Sequence, residues 1–313
     1  MARYFVGINI FYISRKVRYS AEMREIMGAD IRFPHLGISI DSLGKSISIG
    51  GFSIAYYGII IAIGMIAGFF MASWQAKRLG QDKEVILDLA LWDIVFAIIG
   101  ARLYYVLFSW DYYSKNPAEI INTRGGGMAI YGGIIAGVIT TFVFSKVKKV
   151  SFFRLVDTAC AGLLVGQIIG RWGNFFNREA FGGYTDSFFA MQLKEADVNT
   201  SYINAGLLEH IVTVDGTSYI QVHPTFLYES IWNLIILIII LIFTEHRKYD
   251  GQLFLIYLLG YGLGRVWIEG LRTDQLILFG TGLAVSQLLS ALVVIIAAGL
   301  LIYNAKKGTG VHK

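Results

Sequence analysis

Cysteine is nearly missing from this chain: Cys160 is the only one among 313 residues, so no intrachain disulfide framework exists. Because Cys160 lies inside an apolar run, its expected role is that of a small buried hydrophobe. Histidine is sparse and scattered, at His35, His210, His223, His246 and His312, and these positions offer no metal-ligand spacing. Neither a metal nor a cofactor is expected. Charge is low, 16% of residues against 55% hydrophobic, which excludes an ordinary soluble domain. Basic clusters interleaved with aromatics are missing as well, so nucleic acid is excluded as a partner.

What the chain has in abundance is long apolar runs, with a mean hydropathy of +0.58. Crossing a bilayer takes about 20 mostly apolar residues. Stretches of that kind lie near 52–74, 86–109, 129–147, 152–171, 226–244, 252–271 and 280–303. They are continuous Ile, Leu, Phe and Ala runs with embedded glycines, not the period-two alternation of a transmembrane barrel. The expected fold is all-α, a polytopic membrane helix bundle of about seven transmembrane helices. The polar segment between spans four and five is longer than an ordinary connection and is expected to form a small outer head at 177–222.

Lysine and arginine set the orientation. Lys77, Arg78 and Lys83 follow the first span, Lys146, Lys148, Lys149 and Arg154 surround the turn between the third and fourth, and Arg247 and Lys248 follow the fifth. Those loops and the 304–313 tail are assigned to the cytoplasm, facing anionic membrane lipids, which accounts for the net charge of +5. Residues 23–51 are expected to form an outer N-terminal segment ahead of a membrane domain at 52–303. Residues 1–22 fit poorly: their apolar part is too short to span, Arg15, Lys16 and Arg18 fall on the wrong side, and no small-residue cleavage site follows. They are expected to be a dispensable extension.

The polar residues inside the spans share one depth, towards the outer side. Tyr57 opens the first span, Arg102 lies near the outer end of the second, Tyr131 opens the third, and Arg171 and Asn174 close the fourth. The stretch HPTFLYE at 223–229 opens the fifth, and Tyr261, Arg265, Glu269 and Arg272 share one face of the sixth at spacings of four, four and three. Each has a plain reading too. Arg102 fits snorkelling to the interface, Arg265 and Glu269 fit a structural ion pair, and Gly162, Gly166 and Gly170 fit close helix packing. Convergence is what those readings leave over: arginines on three helices repel unless an anion or carboxylates lie between them. Guanidinium binds phosphate bidentately, and phospholipid headgroups are the abundant anions at that depth. An organic-anion transporter or a lipid-binding protein is the alternative reading; a transporter predicts a midplane site and repeat-related helix breaks, neither of which is clear here.

These residues carry a resemblance. GRWGNFFNREAFGG at 170–183 resembles the signature of the prolipoprotein diacylglyceryl transferases, and the likeness extends to YYG at 56–58, GARLYYVLF at 100–108, GGMAIYGG at 126–133, HPTFLYE at 223–229 and YGLGRVWIEGLR at 261–272. The resemblance implies a seven-helix enzyme of the bacterial inner membrane, its site facing the outer leaflet. It implies transfer of the diacylglyceryl group of phosphatidylglycerol to the lipobox cysteine of preprolipoprotein signal peptides, releasing glycerol phosphate. Matched by motif, Arg171, Asn174, Glu179 and Gly182 occupy the signature's functional positions, Arg265 and Glu269 those of an essential arginine and its neighbouring acid, and Tyr57 and Tyr261 those of tyrosines the family uses. Many members carry histidine where this chain has Tyr131, so a histidine base is missing at that position. The expected catalytic set is Arg171, Arg265, Tyr131 and Glu269. Tyr57, Arg102, Asn174, Glu179, Gly182, His223, Tyr261 and Arg272 are expected to bind substrate. A strongly positive pocket is expected to lower the pKa of the incoming thiol, ordinarily about 8.5. The acceptor of its proton stays open among Tyr131, His223, Glu179 and water, with His223 also fitting a cap ahead of Pro224.

Overall fold

The computed structural model describes residues 29–123, 126–278 and 282–307; the expected extension at 1–22 lies outside them. Seven long helices are described: α1 (Tyr56–Arg78), α2 (Lys83–Phe108), α3 (Ile130–Val147), α4 (Phe152–Asn177), α5 (Thr225–Phe243), α6 (Gln252–Glu269) and α7 (Val285–Lys307). Five of them, α1, α3, α4, α5 and α7, are long and apolar enough to cross a membrane by length and composition. The other two carry more polar sequence: α2 holds Glu84, Asp88, Asp93 and Arg102, and α6 ends on Arg265 and Glu269. Large apolar side chains such as Phe70 (65% exposed), Ile139 and Ile295 stand on helix exteriors, as a lipid-facing surface requires.

The main departure from the expected spans is at the end of α4, which runs six residues past 171 to Asn177. Arg171 and Asn174 are therefore helical, and polar side chains are tolerated in that last stretch because they find partners, as described below.

Strands are the part that hydropathy did not register. β1 (Ile31–Phe33), β2 (Ile38–Ile40), β5 (Met191–Lys194), β6 (Val212–Val214) and β7 (Thr217–Val222) build one antiparallel sheet in the order β2-β1-β5-β7-β6. Ile31 pairs with Leu193, and Leu193 with Ile220, so two strands ahead of α1 join three that follow α4. A separate hairpin, β3 (Ser46–Ile49) and β4 (Phe52–Ala55), leads straight into α1. The β6–β7 turn is Asp215-Gly216, both with positive φ (50° and 77°), the two-residue connection whose twist matches a hairpin.

The described residues divide into two compact units. The first comprises residues up to Ala62, Ile168–Trp232 and Gly262–Leu292; the second comprises Ile63–Gln167, Asn233–Tyr261 and the residues from Val293. In the first, Phe175 from the end of α4 and Phe226 from the start of α5 pack with Ile31, Leu193, Ile220 and Val222 of the sheet. The two rings lie 4.9 Å apart, and burial of each contributes about 1.5–3 kcal/mol. Those aromatics fasten both helix ends beneath the sheet. In the second unit α2 and α3 cross at Gly100 and Gly132, where a Cβ on Gly132 would come 2.4 Å from the Gly100 carbonyl oxygen. The paired glycines after Tyr131 thus begin with a helix-packing contact. Gly162 meets Gly68 in the same way, in keeping with the packing reading of its spacing.

Candidate active site

The first unit gathers charge at the ends of three helices. Glu229, in the second turn of α5 and 3% exposed, receives Arg171 of α4 and Arg265 of α6 on one carboxylate oxygen: Arg171 Nη2 stands 2.8 Å from Oε2 and Arg265 Nη1 3.1 Å. Arg265 also pairs with Glu269 one turn along α6. Arg272, just past the helix, lies 4.0 Å from Glu229 Oε1 and 3.7 Å from Glu269 Oε2. Its guanidinium forms a two-pronged pair with Asp274, at 2.9 Å from Nε and 2.7 Å from Nη2. Ser286 of α7 donates to Glu269 Oε1 at 2.7 Å.

This corrects one expectation. Three guanidiniums, Arg171, Arg265 and Arg272, face three carboxylates, Glu229, Glu269 and Asp274, so among the described residues the cluster is formally neutral and not strongly positive. Carboxylates already relieve the repulsion between the arginines. What the cluster offers is a set of guanidinium forks held in place by carboxylates, with Arg171, which carries five N–H donors, meeting Glu229 through Nη2. Glu229 was quoted in its motif but not singled out from the sequence. The signal was present: a lone carboxylate one turn into a strongly apolar helix demands a buried cation.

The signature turn follows α4. Asn174 Nδ2 donates to Glu179 Oε1 at 3.0 Å and Asn177 Nδ2 to the same oxygen at 3.3 Å, so two amides aim one carboxylate. The Tyr57 ring lies over Gly173, where a Cβ would come 2.8 Å from it. Gly182 pairs with Arg272 as an isolated bridge. Gly182 N donates to His223 O at 3.0 Å, and Gly183 N to Leu271 O at 2.9 Å. A Cβ on Gly182 would stand 2.7 Å from His223 Cβ and 2.9 Å from the Leu271 carbonyl oxygen. Glycine is required there by close backbone approach. His223 Nδ1 lies 3.3 Å from the Tyr228 hydroxyl, and burial lowers its pKa from the ordinary 6.5.

Thus Tyr57, Arg171, Asn174, Glu179, Gly182, His223, Arg265, Glu269 and Arg272 all belong to the first unit. Arg102, Tyr131 and Tyr261 belong to the second. Arg102 is buried and its donors go to backbone carbonyls: Ile120 O at 2.7 Å, Gly126 O at 3.1 Å, Gly127 O at 2.8 Å and Glu119 O at 2.6 Å. It also lies over the Tyr113 ring, at 5.1 Å. That side chain pins Glu119, Ile120, Gly126 and Gly127, a different task from snorkelling. Ala129 N donates to Ala101 O at 3.0 Å, which fixes the start of α3 and with it Tyr131, 38% exposed. Tyr261 stacks on Tyr257 at 5.7 Å, and Tyr257 accepts a hydrogen bond from Gln167 at 2.8 Å.

Helices with lipid-facing exteriors, a folded β-sheet and an arginine–carboxylate cluster at helix ends define a multi-pass helical membrane protein with a built polar site. The family profile described as Prolipoprotein diacylglyceryl transferase matches residues 45–303. A phosphatidylglycerol--prolipoprotein diacylglyceryl transferase of Listeria innocua is 42% identical over 264 residues, covering 84% of this chain and 90% of the relative. The proteins of that name from Bacillus cytotoxicus (42% over 265 residues, 84% and 92%) and Lysinibacillus sphaericus (41% over 261 residues, 83% and 91%) are similar to the same extent. The chain belongs to the prolipoprotein diacylglyceryl transferase family.

Proposed function

We propose that this protein transfers the diacylglyceryl group of phosphatidylglycerol to the lipobox cysteine thiol of a preprolipoprotein, at a site facing the outer leaflet of a bacterial cytoplasmic membrane, with the C-terminus in the cytoplasm. In the reaction the bond between the glyceryl carbon and the phosphate oxygen breaks, a carbon–sulfur bond forms, the thiol loses its proton, and glycerol phosphate departs. The observation that carries the reading is the pair of arginines from separate helices held on Glu229. Arg171 and Arg265 bind the phosphate, align its glyceryl carbon with the sulfur, and stabilise the charge gathering on the leaving group. Glu229 and Glu269 orient the two forks and Arg272. Because the cluster is neutral before the lipid arrives, its contribution is preorganised donors more than bulk positive field.

Asn174, Asn177 and Glu179 organise the headgroup glycerol, whose hydroxyls suit a fixed carboxylate acceptor. Tyr57 lines the lipid, and Arg102 holds Glu119, Ile120, Gly126 and Gly127 through their carbonyls. His223, held neutral by burial, is available as the thiol's proton acceptor. The test is direct: detergent-purified protein is incubated with phosphatidylglycerol and a lipobox peptide, and mass spectrometry looks for the thioether adduct with release of glycerol phosphate. Binding of the lipid without adduct would instead identify a lipid-binding or transport protein.

A further inference from the structure

The end of α4 closes with two hydrogen bonds, Arg178 N to Phe175 O at 3.2 Å and Glu179 N to Asn174 O at 3.1 Å. That pattern is the helix cap in which the first residue past the helix adopts a left-handed backbone, a place usually held by glycine because a Cβ is strained there. Here it is Arg178, with φ 56°, and Ala180 follows with φ 57°. Glu179 is thus flanked on both sides by left-handed residues that are not glycine. Such backbone persists only where the surroundings hold it.

The holding group is the Arg178 side chain, which is buried. Nη1 donates to Phe176 O at 3.3 Å, Nη2 donates to Leu43 O and pairs with Asp30 at 3.2 Å, and Nε stands 3.5 Å from Asp197. Asp30 is itself held by Lys194 of β5 at 3.0 Å. One guanidinium therefore ties the turn to the residues before β1, to those before β3 and to those after β5. From the other side Thr225 donates to Ala180 O, and the two asparagine amides meet Glu179. A glycine would satisfy the cap alone; an arginine there has a reason only in what its side chain reaches.

We propose that Arg178 is a positioning residue for the reaction: it locks the strained turn that aims the Glu179 carboxylate, and so couples the sheet to the geometry of the site. This rests on the reading that Glu179 organises the headgroup. A clamp serving stability alone is the competing account, and the two separate by experiment. Arg178→Gly keeps a backbone that accepts φ 56° and removes only the tether. In the detergent-purified full chain its kcat with phosphatidylglycerol and a lipobox peptide is expected to fall roughly 10- to 100-fold, the scale of a displacement of about 1 Å. KM for the peptide is expected to stay unchanged. Hydrogen exchange is expected to quicken at 178–183 while the amides of β5 and β7 keep their protection. Arg178→Lys is expected to restore little, since an ammonium lacks the fork that reaches three segments. Wild-type kcat in Arg178→Gly, unaltered exchange at 178–183, or a loss of kcat that comes only with lost protection across the sheet would each overturn the proposal. Glu179→Gln, run alongside, separates the layers. If it is inactive while Arg178→Gly turns over normally, positioning fails and the role of Glu179 stands; if it is fully active, the role of Glu179 fails and this inference with it.

Discussion

Glu229 Oε2 stands 2.8 Å from Arg171 Nη2, and that single carboxylate oxygen also serves Arg265 from another helix. Two guanidinium forks from separate helices therefore share one anchor. Glu229→Ala leaves two guanidiniums with a lost partner, and breaking a buried ion pair costs about 3–5 kcal/mol. The variant is expected to unfold at lower temperature and to lose transfer. Arg171→Ala is expected to abolish transfer while the protein still inserts, and Arg171→Lys to recover little of it. Thioether formation and thermal unfolding, measured side by side, check this; near-normal turnover by Arg171→Ala would remove arginine from the site.

Arg102 works on backbone. Its removal leaves the carbonyls of Glu119, Ile120, Gly126 and Gly127 without their donor. Arg102→Ala is expected to raise protease cleavage within 114–123 and to lower transfer less than Arg171→Ala does. Equal and complete losses at the two positions would place Arg102 on the substrate.

At Gly182 even a methyl group has no room, with His223 Cβ and the Leu271 carbonyl oxygen both within 3 Å of a built Cβ, at 2.7 and 2.9 Å. Gly182→Ala is expected to push apart the segments that carry His223 and Arg272, costing about 1–3 kcal/mol as overpacking does and most of the activity. Wild-type unfolding and kcat in this variant would show that the pairing is looser than the geometry implies.

Tyr131 is expected to act in the reaction as a hydrogen-bond donor and not as a base, a task that a phenol O–H and an imidazole N–H can both perform at one position. Tyr131→His then retains substantial activity, and Tyr131→Phe loses it at every pH. Selective rescue of the phenylalanine variant as pH rises past the thiol's ionisation would make Tyr131 the base.

His223 supplies a pH test. Burial lowers its folded pKa, so folding favours the neutral ring. The sign follows: stability is full above the ordinary value of 6.5 and is lost as pH falls through it towards the lower folded value. His223→Gln is expected to flatten that acid-side fall in unfolding temperature and to reduce transfer. A variant with an unchanged acid limb would show that other groups govern it.

Much of the scaffold was legible along the chain. Continuous apolar runs located the seven long helices to within about six residues, since lipid permits only helices or closed barrels and period-two alternation was missing. The Asp215-Gly216 turn between alternating residues was a readable hairpin signal, yet strands of three to six residues vanish inside hydropathy windows of about 19. Gly132 makes its close contact with the Gly100 backbone of α2. A sequence does not show which helix a glycine will cross.

The amino-acid sequence by itself determined the solvent, the helices, the family and the polar residues from which a site could be built, because each of these is written in local composition and motif. The tertiary structure alone decided pairing. It gave Glu229 to Arg171 and Arg265, turned Arg102 towards its own loop, and brought β1 beside β5 across more than 150 residues. It also placed Arg178 where glycine would do, with its guanidinium reaching Asp30. Partner choice depends on what lies within about 4 Å in space, and no spacing along a chain encodes that distance.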